Sequence, residues 1–187
     1  AVAEDVASSL IYHGFKRIIF FNGNRIANLQ PMEIAAVRLM NRTGAHVVVA
    51  DAGLIARHEI KALCDLGSDG LDHAAEAESS LALHWAAEHV AMEEAGAAKI
   101  SNAPFGGGSF DYPTELDPAL AGNALSRFVT PEGLRASTAP DGTVGDPRPA
   151  TAEKGKAMVD AIATNLVRVI EEVRAHEIGD VSADLPV

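Results

Sequence analysis

The sequence predicts an α/β fold, a three-layer α/β/α sandwich around a mostly parallel sheet. Two runs carry that prediction. Arg17-Ile-Ile-Phe-Phe-Asn22 and His46-Val-Val-Val-Ala-Asp51 are rich in β-formers and lack polar alternation, as strands covered on both faces require. Between them lies a stretch with apolar residues at helical spacing, so residues 17–51 read as a strand-helix-strand unit with a right-handed crossover. At 187 residues and 19.5 kDa, the chain suits one domain spanning 1–187.

Each further element follows from spacing. Ala3, Val6, Ala7 and Leu10 share one helical face, and His13-Gly14 supplies a stop. The second helix is predicted from about Leu29, with Pro31 in its first turn, a stripe of Met32, Ala35, Ala36, Leu39 and Met40, and an end near Gly44. A third is expected from Glu76 to Glu94 through Leu81, Leu83, Trp85, Ala86 and Val90. Residues 99–149 are dense in Gly, Pro, Asp and Ser and predict a long irregular region with a role in binding or subunit contact. From Thr151 onward, Met158, Ile162, Leu166, Val169, Ile170 and Val173 define an amphipathic helix of about 25 residues.

Composition narrows the function classes. Fifteen Lys and Arg against 26 Asp and Glu leave a net charge of −11, a surface that repels phosphate backbones and anionic lipid. Neither nucleic acid nor a membrane is an expected partner, and the longest apolar runs fall far short of the ~20 residues a spanning helix needs. A single cysteine, Cys64, closes no intrachain disulfide, and the opening residues have no signal-peptide pattern, so the reducing cytoplasm is the expected compartment.

Three segments hold candidate chemistry. Asn22-Gly-Asn-Arg-Ile-Ala-Asn28 follows a buried strand, where open α/β sheets place ligands, although a bend needs Gly and Asn in any case. It lacks the glycine spacing and the Lys of a phosphate loop. Leu71-Asp-His-Ala-Ala-Glu-Ala-Glu-Ser-Ser80 crowds small residues around an imidazole and carboxylates. His73 and Glu76, three apart, suit Zn or Mn, whereas Asp72, Glu76 and Glu78 also suit a helix N-terminus. Val144-Gly-Asp-Pro-Arg-Pro-Ala-Thr-Ala-Glu-Lys-Gly155 is a rigid entry to the last helix, with Thr151 as its cap.

Taken together, these blocks resemble the creatininase family of metal-dependent amidohydrolases in order and spacing, over nearly the whole chain. That family's pattern has a Gly-Phe-(Lys/Arg)-(Arg/Lys)-Ile strand ending in Asn-Gly-His-Gly-Gly-Asn, then His-Ala-Gly-Glu-x-Glu-Thr-Ser, then Gly-Asp-Pro-x-x-Ala-Thr-x-Glu-Lys-Gly. The resemblance implies hydrolysis of a C–N bond in a small, often cyclic, amide by water held between divalent metals, Zn, Mn or Fe. It makes His73 the proton shuttle, Glu78 its support and Glu76 a metal ligand. Asn24 stands where the family has a ligating His, and an amide oxygen is a poorer ligand than imidazole.

The family's front portion, with a Glu-x-His pair and a metal-bridging Asp, has no counterpart here. The expectation is therefore a second polypeptide, or a preceding stretch, that covers the exposed sheet edge and brings those ligands. The resemblance also implies a higher oligomer, commonly a hexamer, with residues 99–149 as contact surface. The alternative reading is a non-catalytic subunit that supports a partner bearing the full metal site.

Overall fold

In the computed structural model the described residues are 2–96, 142–143 and 145–182. The long Gly- and Pro-rich region falls mostly outside them, and with it the expected subunit contact surface. The chain divides into two compact units, one of residues 1–57 and 162–187 and the other of residues 58–161.

The first unit holds helix α1 (Val2–Tyr12), strand β1 (Arg17–Asn22), helix α2 (Arg25–Thr43), strand β2 (His46–Asp51) and the short helix α3 (Ala52–Ile55). β1 and β2 pair in parallel, in a register running from Arg17 opposite His46 to Asn22 opposite Asp51. The two predicted strands are therefore neighbours, and their carboxyl ends lie side by side. One sheet face is covered by α1 and α2: Ala7, Ile11, Ile18, Ala36, Leu39, Ala45 and Val47 form a buried core, with Leu10, Phe20, Val49 and Val181 packed against it. Alternation along a strand sends Arg17 and His46 to the other face. There Arg17 Nε donates to the Val173 carbonyl at 2.9 Å, and the His46 ring stacks on His176 with centroids 4.3 Å apart.

Gly44 makes the turn between α2 and β2 possible. Its φ of +75° is the left-handed region, and a Cβ there would stand 2.7 Å from the Asp180 carbonyl oxygen. The Ser182 N–H then donates to the Thr43 carbonyl at 2.8 Å, fastening the C-terminal segment beside the same turn.

α2 starts at Arg25, more than a turn before the predicted position, and Pro31 lies inside it rather than in its first turn. Pro31 is exposed, so the helix loses one backbone hydrogen bond without a clash in the core. Of the predicted stripe, Ala35, Ala36 and Leu39 are buried, while Met40 is exposed.

Helix α4 (Arg57–Leu63) leads into the second unit, which contains a 3₁₀ turn (Gly67–Gly70), helix α5 (Glu76–Ala86) and two more 3₁₀ turns (Ala87–His89 and Met92–Glu94). The predicted 76–94 helix thus ends at Ala86. Leu81, Leu83 and Trp85 lie within this shorter helix, and Trp85 is 69% exposed. The last helix (Ala152–Ala175) runs for 24 residues, as its spacing predicts. None of the described helices is long and apolar enough to cross a membrane.

Candidate active site

The parallel register of β1 and β2 places Asn22 beside Asp51 at the carboxyl ends of the strands. Both side chains are buried, and the Asn22 amide donates to Asp51 Oδ2 at 2.7 Å. The other Asp51 oxygen accepts from the Leu54 N–H at 3.0 Å and caps α3. The Asn22 side chain also folds the following turn, donating to the Asn24 carbonyl at 3.0 Å and accepting from the Asn24 N–H at 3.3 Å. Asn24 itself is exposed. The buried polar residues at this strand end are thus occupied in shaping the turn.

In the second unit, the His73 segment lies before α5. Ala74 takes a φ of +50°, uncommon for a residue with a side chain, and is held there by its neighbours. Its N–H donates to Glu78 Oε2 at 2.8 Å, and its carbonyl accepts from Ser79 Oγ at 3.0 Å. This bend brings His73 Nδ1 to 3.9 Å from Glu78 Oε1, within ion-pair range, with the two side chains 62% and 57% exposed. Asp72 completes the segment by accepting from the His73 N–H at 2.9 Å. Two residue types that can move and balance a proton therefore meet on an accessible surface.

Glu76 has a different environment. It is fully buried, and Oε1 accepts from the Asp65 N–H at 2.8 Å and from Lys154 Nζ at 2.5 Å. Oε2 accepts from the Leu66 N–H at 3.0 Å. Lys154 Nζ also reaches the Pro149 carbonyl and Asp65 Oδ2, each at 2.9 Å. Burial opposes the Lys154 charge, yet its hydrogen bonds to Glu76 and Asp65 and their negative charges outweigh that, so its pKa is raised. Burial also pushes the neighbouring Cys64 thiol up to about 11, and the negative charges of Glu76 and Asp65 add to the rise.

The third sequence block clamps the second. Ser80 Oγ donates to the Glu76 carbonyl at 2.6 Å and accepts from the Thr151 N–H at 3.2 Å. Thr151 in turn accepts the Lys154 N–H on its hydroxyl at 3.2 Å, as a helix cap. Sequence reasoning missed Lys154 as the counter-ion of Glu76. The signal available was a Lys on a helix entry and a carboxylate among small apolar residues, since a buried carboxylate needs a cation.

These residues do not fit a metal centre. Among the described residues no three His, Cys, Asp or Glu side chains gather to hold an ion. Glu76 has both oxygens engaged by N–H donors.

The comparisons with known proteins come to the same fold. Solved structures similar to this chain include a creatinine amidohydrolase-like protein of Bacteroides fragilis, 25% identical with a TM-score of 0.66, covering 96% of this chain and 62% of its own. A manganese creatininase is 19% identical with a TM-score of 0.64, covering 91% of this chain and 62% of its own. A variant creatininase of the Zn-Zn type is 20% identical with a TM-score of 0.59, covering 91% of this chain and 61% of its own. The chain thus spans about three-fifths of the length of these structures. A comparison with curated proteins finds no match. The family model described as "Creatininase: Creatinine amidohydrolase" matches residues 1–170, and the chain belongs to the creatininase family.

Proposed function

We propose that this chain is the larger part of an amidohydrolase that cleaves the C–N bond of a small amide, with His73 as its proton-transfer group. The observation that carries this reading is the exposed His73–Glu78 pair, held on a bend that Ala74 and Ser79 fix. In amide hydrolysis, water adds to the carbonyl carbon and the C–N bond then breaks. The proton that water loses has to reach the departing nitrogen, which is otherwise a poor leaving group. An imidazole can take and return that proton near neutral pH, and the Glu78 carboxylate balances the imidazolium formed in between.

The family includes manganese and zinc forms, in which a metal would supply an activated water. The described residues do not make such a metal's site. Our reading assigns the metal ligands to polypeptide outside the described residues, with a second polypeptide or a longer form of this chain as the source. The second reading, a non-catalytic creatininase-like subunit supporting a partner with the full site, is favoured by the engaged Glu76 carboxylate and by Asn24 standing where the family has His.

The assembled protein, assayed against a panel of small cyclic and linear amides including creatinine, decides between the two. Turnover that falls by about 100-fold or more in His73→Ala supports the hydrolase. Unchanged turnover in that variant removes His73 from the chemistry. A folded assembly that cleaves no amide and contains no Zn, Mn or Fe by elemental analysis establishes the supporting subunit instead.

A further inference from the structure

We propose that Glu76 and Lys154 are a positioning pair for the segment that carries His73, and that Glu76 is not a ligand of a catalytic metal. The functional part of this inference rests on the proton-transfer role proposed for His73. Its structural part rests on burial, hydrogen bonding and backbone geometry.

Glu76 opens α5 three residues after His73, yet it is fully buried while His73 is exposed. Its carboxylate accepts the N–H groups of Asp65 and Leu66, which lie just before the 3₁₀ turn Gly67–Gly70. One side chain therefore closes the loop that starts at Asp65 and ends at α5, with His73 inside it. Lys154, 78 residues further on, spends its three ammonium donors on Glu76, Asp65 and the Pro149 carbonyl, so it ties that loop to the entry of the last helix. Coordinating a metal would require Glu76 to expel a cation and leave two backbone N–H groups without their acceptor, which a buried site resists.

The space around the carboxylate is equally committed. A Cβ at Gly70 would stand 3.1 Å from Glu76 Oε2 and 3.0 Å from Cβ of Cys64, so Gly70 leaves no room for a side chain beside the carboxylate. The Ala74 bend next to His73, with its φ of +50°, persists only if its surroundings hold it. Glu78 and Ser79 grip it from α5, and α5 is itself anchored through Glu76 and Ser80 to the last helix entry. A disturbance at Lys154 should therefore reach His73 without any contact between the two.

Amide hydrogen exchange on the whole chain tests this at Asp65, Leu66 and Ala74. In Glu76→Gln and in Lys154→Met, exchange at all three is expected to rise by about tenfold or more, while Val48 in the sheet keeps its native rate. Lys154→Arg, which keeps the charge, is expected to exchange more slowly than Lys154→Met at Ala74. Added Zn(II) or Mn(II) should leave Asp65 and Leu66 unchanged in the native chain. Native exchange at Ala74 in a folded Glu76→Gln protein overturns the proposal. So does a metal that accelerates Asp65 and Leu66 in the native chain but has no effect in Glu76→Gln. If Lys154→Met does not fold, Glu76→Gln and Lys154→Arg carry the measurement, and Ala74 exchange in Lys154→Arg tenfold or more above native while Glu76→Gln stays native, by about the margin above, counts against the pair. These rates need no substrate, so their outcome is independent of whether His73→Ala abolishes turnover.

Discussion

The carbonyl oxygen of Ser80 stands close enough to Gly155 to overlap any Cβ placed there, and the Cβ of His84 lies 2.9 Å from the same point. α5 and the start of the last helix approach each other at this glycine, backbone to backbone. Gly155→Ala is therefore expected to cost about 3 kcal/mol, the upper end of the overpacking range, because the obstructing atom is main chain and cannot rotate away. Gly23 has nothing within 4 Å, and Gly23→Ala should change stability by about 0.5 kcal/mol or less. Urea unfolding of both variants measures the contrast, and similar losses in the two would contradict it.

Asp51 serves two elements at once, as acceptor for the buried Asn22 amide and as the cap of α3. Asp51→Ala removes the cap and leaves one N–H of the buried Asn22 amide without its acceptor, so a loss of about 2 to 3 kcal/mol is expected. Asp51→Asn keeps an acceptor and should lose less. Chemical denaturation of the two variants side by side checks the order.

His46 gives the first unit a pH dependence of known sign. Burial first, then His176 and Arg17, hold its pKa below the ordinary value of 6.5. The unfolded chain therefore takes up the proton at a higher pH than the folded one. The stability contribution is complete above pH 6.5 and is lost as pH falls from there through the folded pKa. Glu177 follows His176 in the same segment, and Arg17 also holds the His176 carbonyl at 2.8 Å. His46→Phe keeps a ring on His176 but cannot titrate. The drop in melting temperature between about pH 7.5 and about pH 5.5 should be smaller in that variant than in the native chain. An equal drop in the two would remove His46 from the account.

Cys64 is buried, and its thiol, pushed up to about 11, is protonated at ordinary pH. Since the thiolate is the nucleophile, thiol reagents at pH 8 should modify Cys64 only after unfolding, with a rate that rises by about two orders of magnitude in denaturant. Fast labelling of the folded protein would show that the Cys64 pocket opens readily.

Much of the fold was legible along the chain because it depends on local pattern. The runs at 17–22 and 46–51 are rich in β-formers without polar alternation, and they form one parallel pair. The 24-residue last helix was likewise readable from 3.6-residue spacing. The exceptions were ends: α2 absorbed Pro31 because that position faces solvent, and the stretch after Ala86 continues as 3₁₀ turns rather than as helix.

The sequence by itself determined the α/β class, the two adjacent strands, the last helix and the three blocks that mark the family. Only the tertiary structure decided what the carboxylates of the second block do. Glu76 and Glu78 are two residues apart and chemically alike, yet one is sealed against Lys154 and the other faces solvent beside His73. No local pattern separates them, because the difference comes from partners distant in the chain: a buried charge is tolerable only where folding delivers its counter-ion and hydrogen-bond donors.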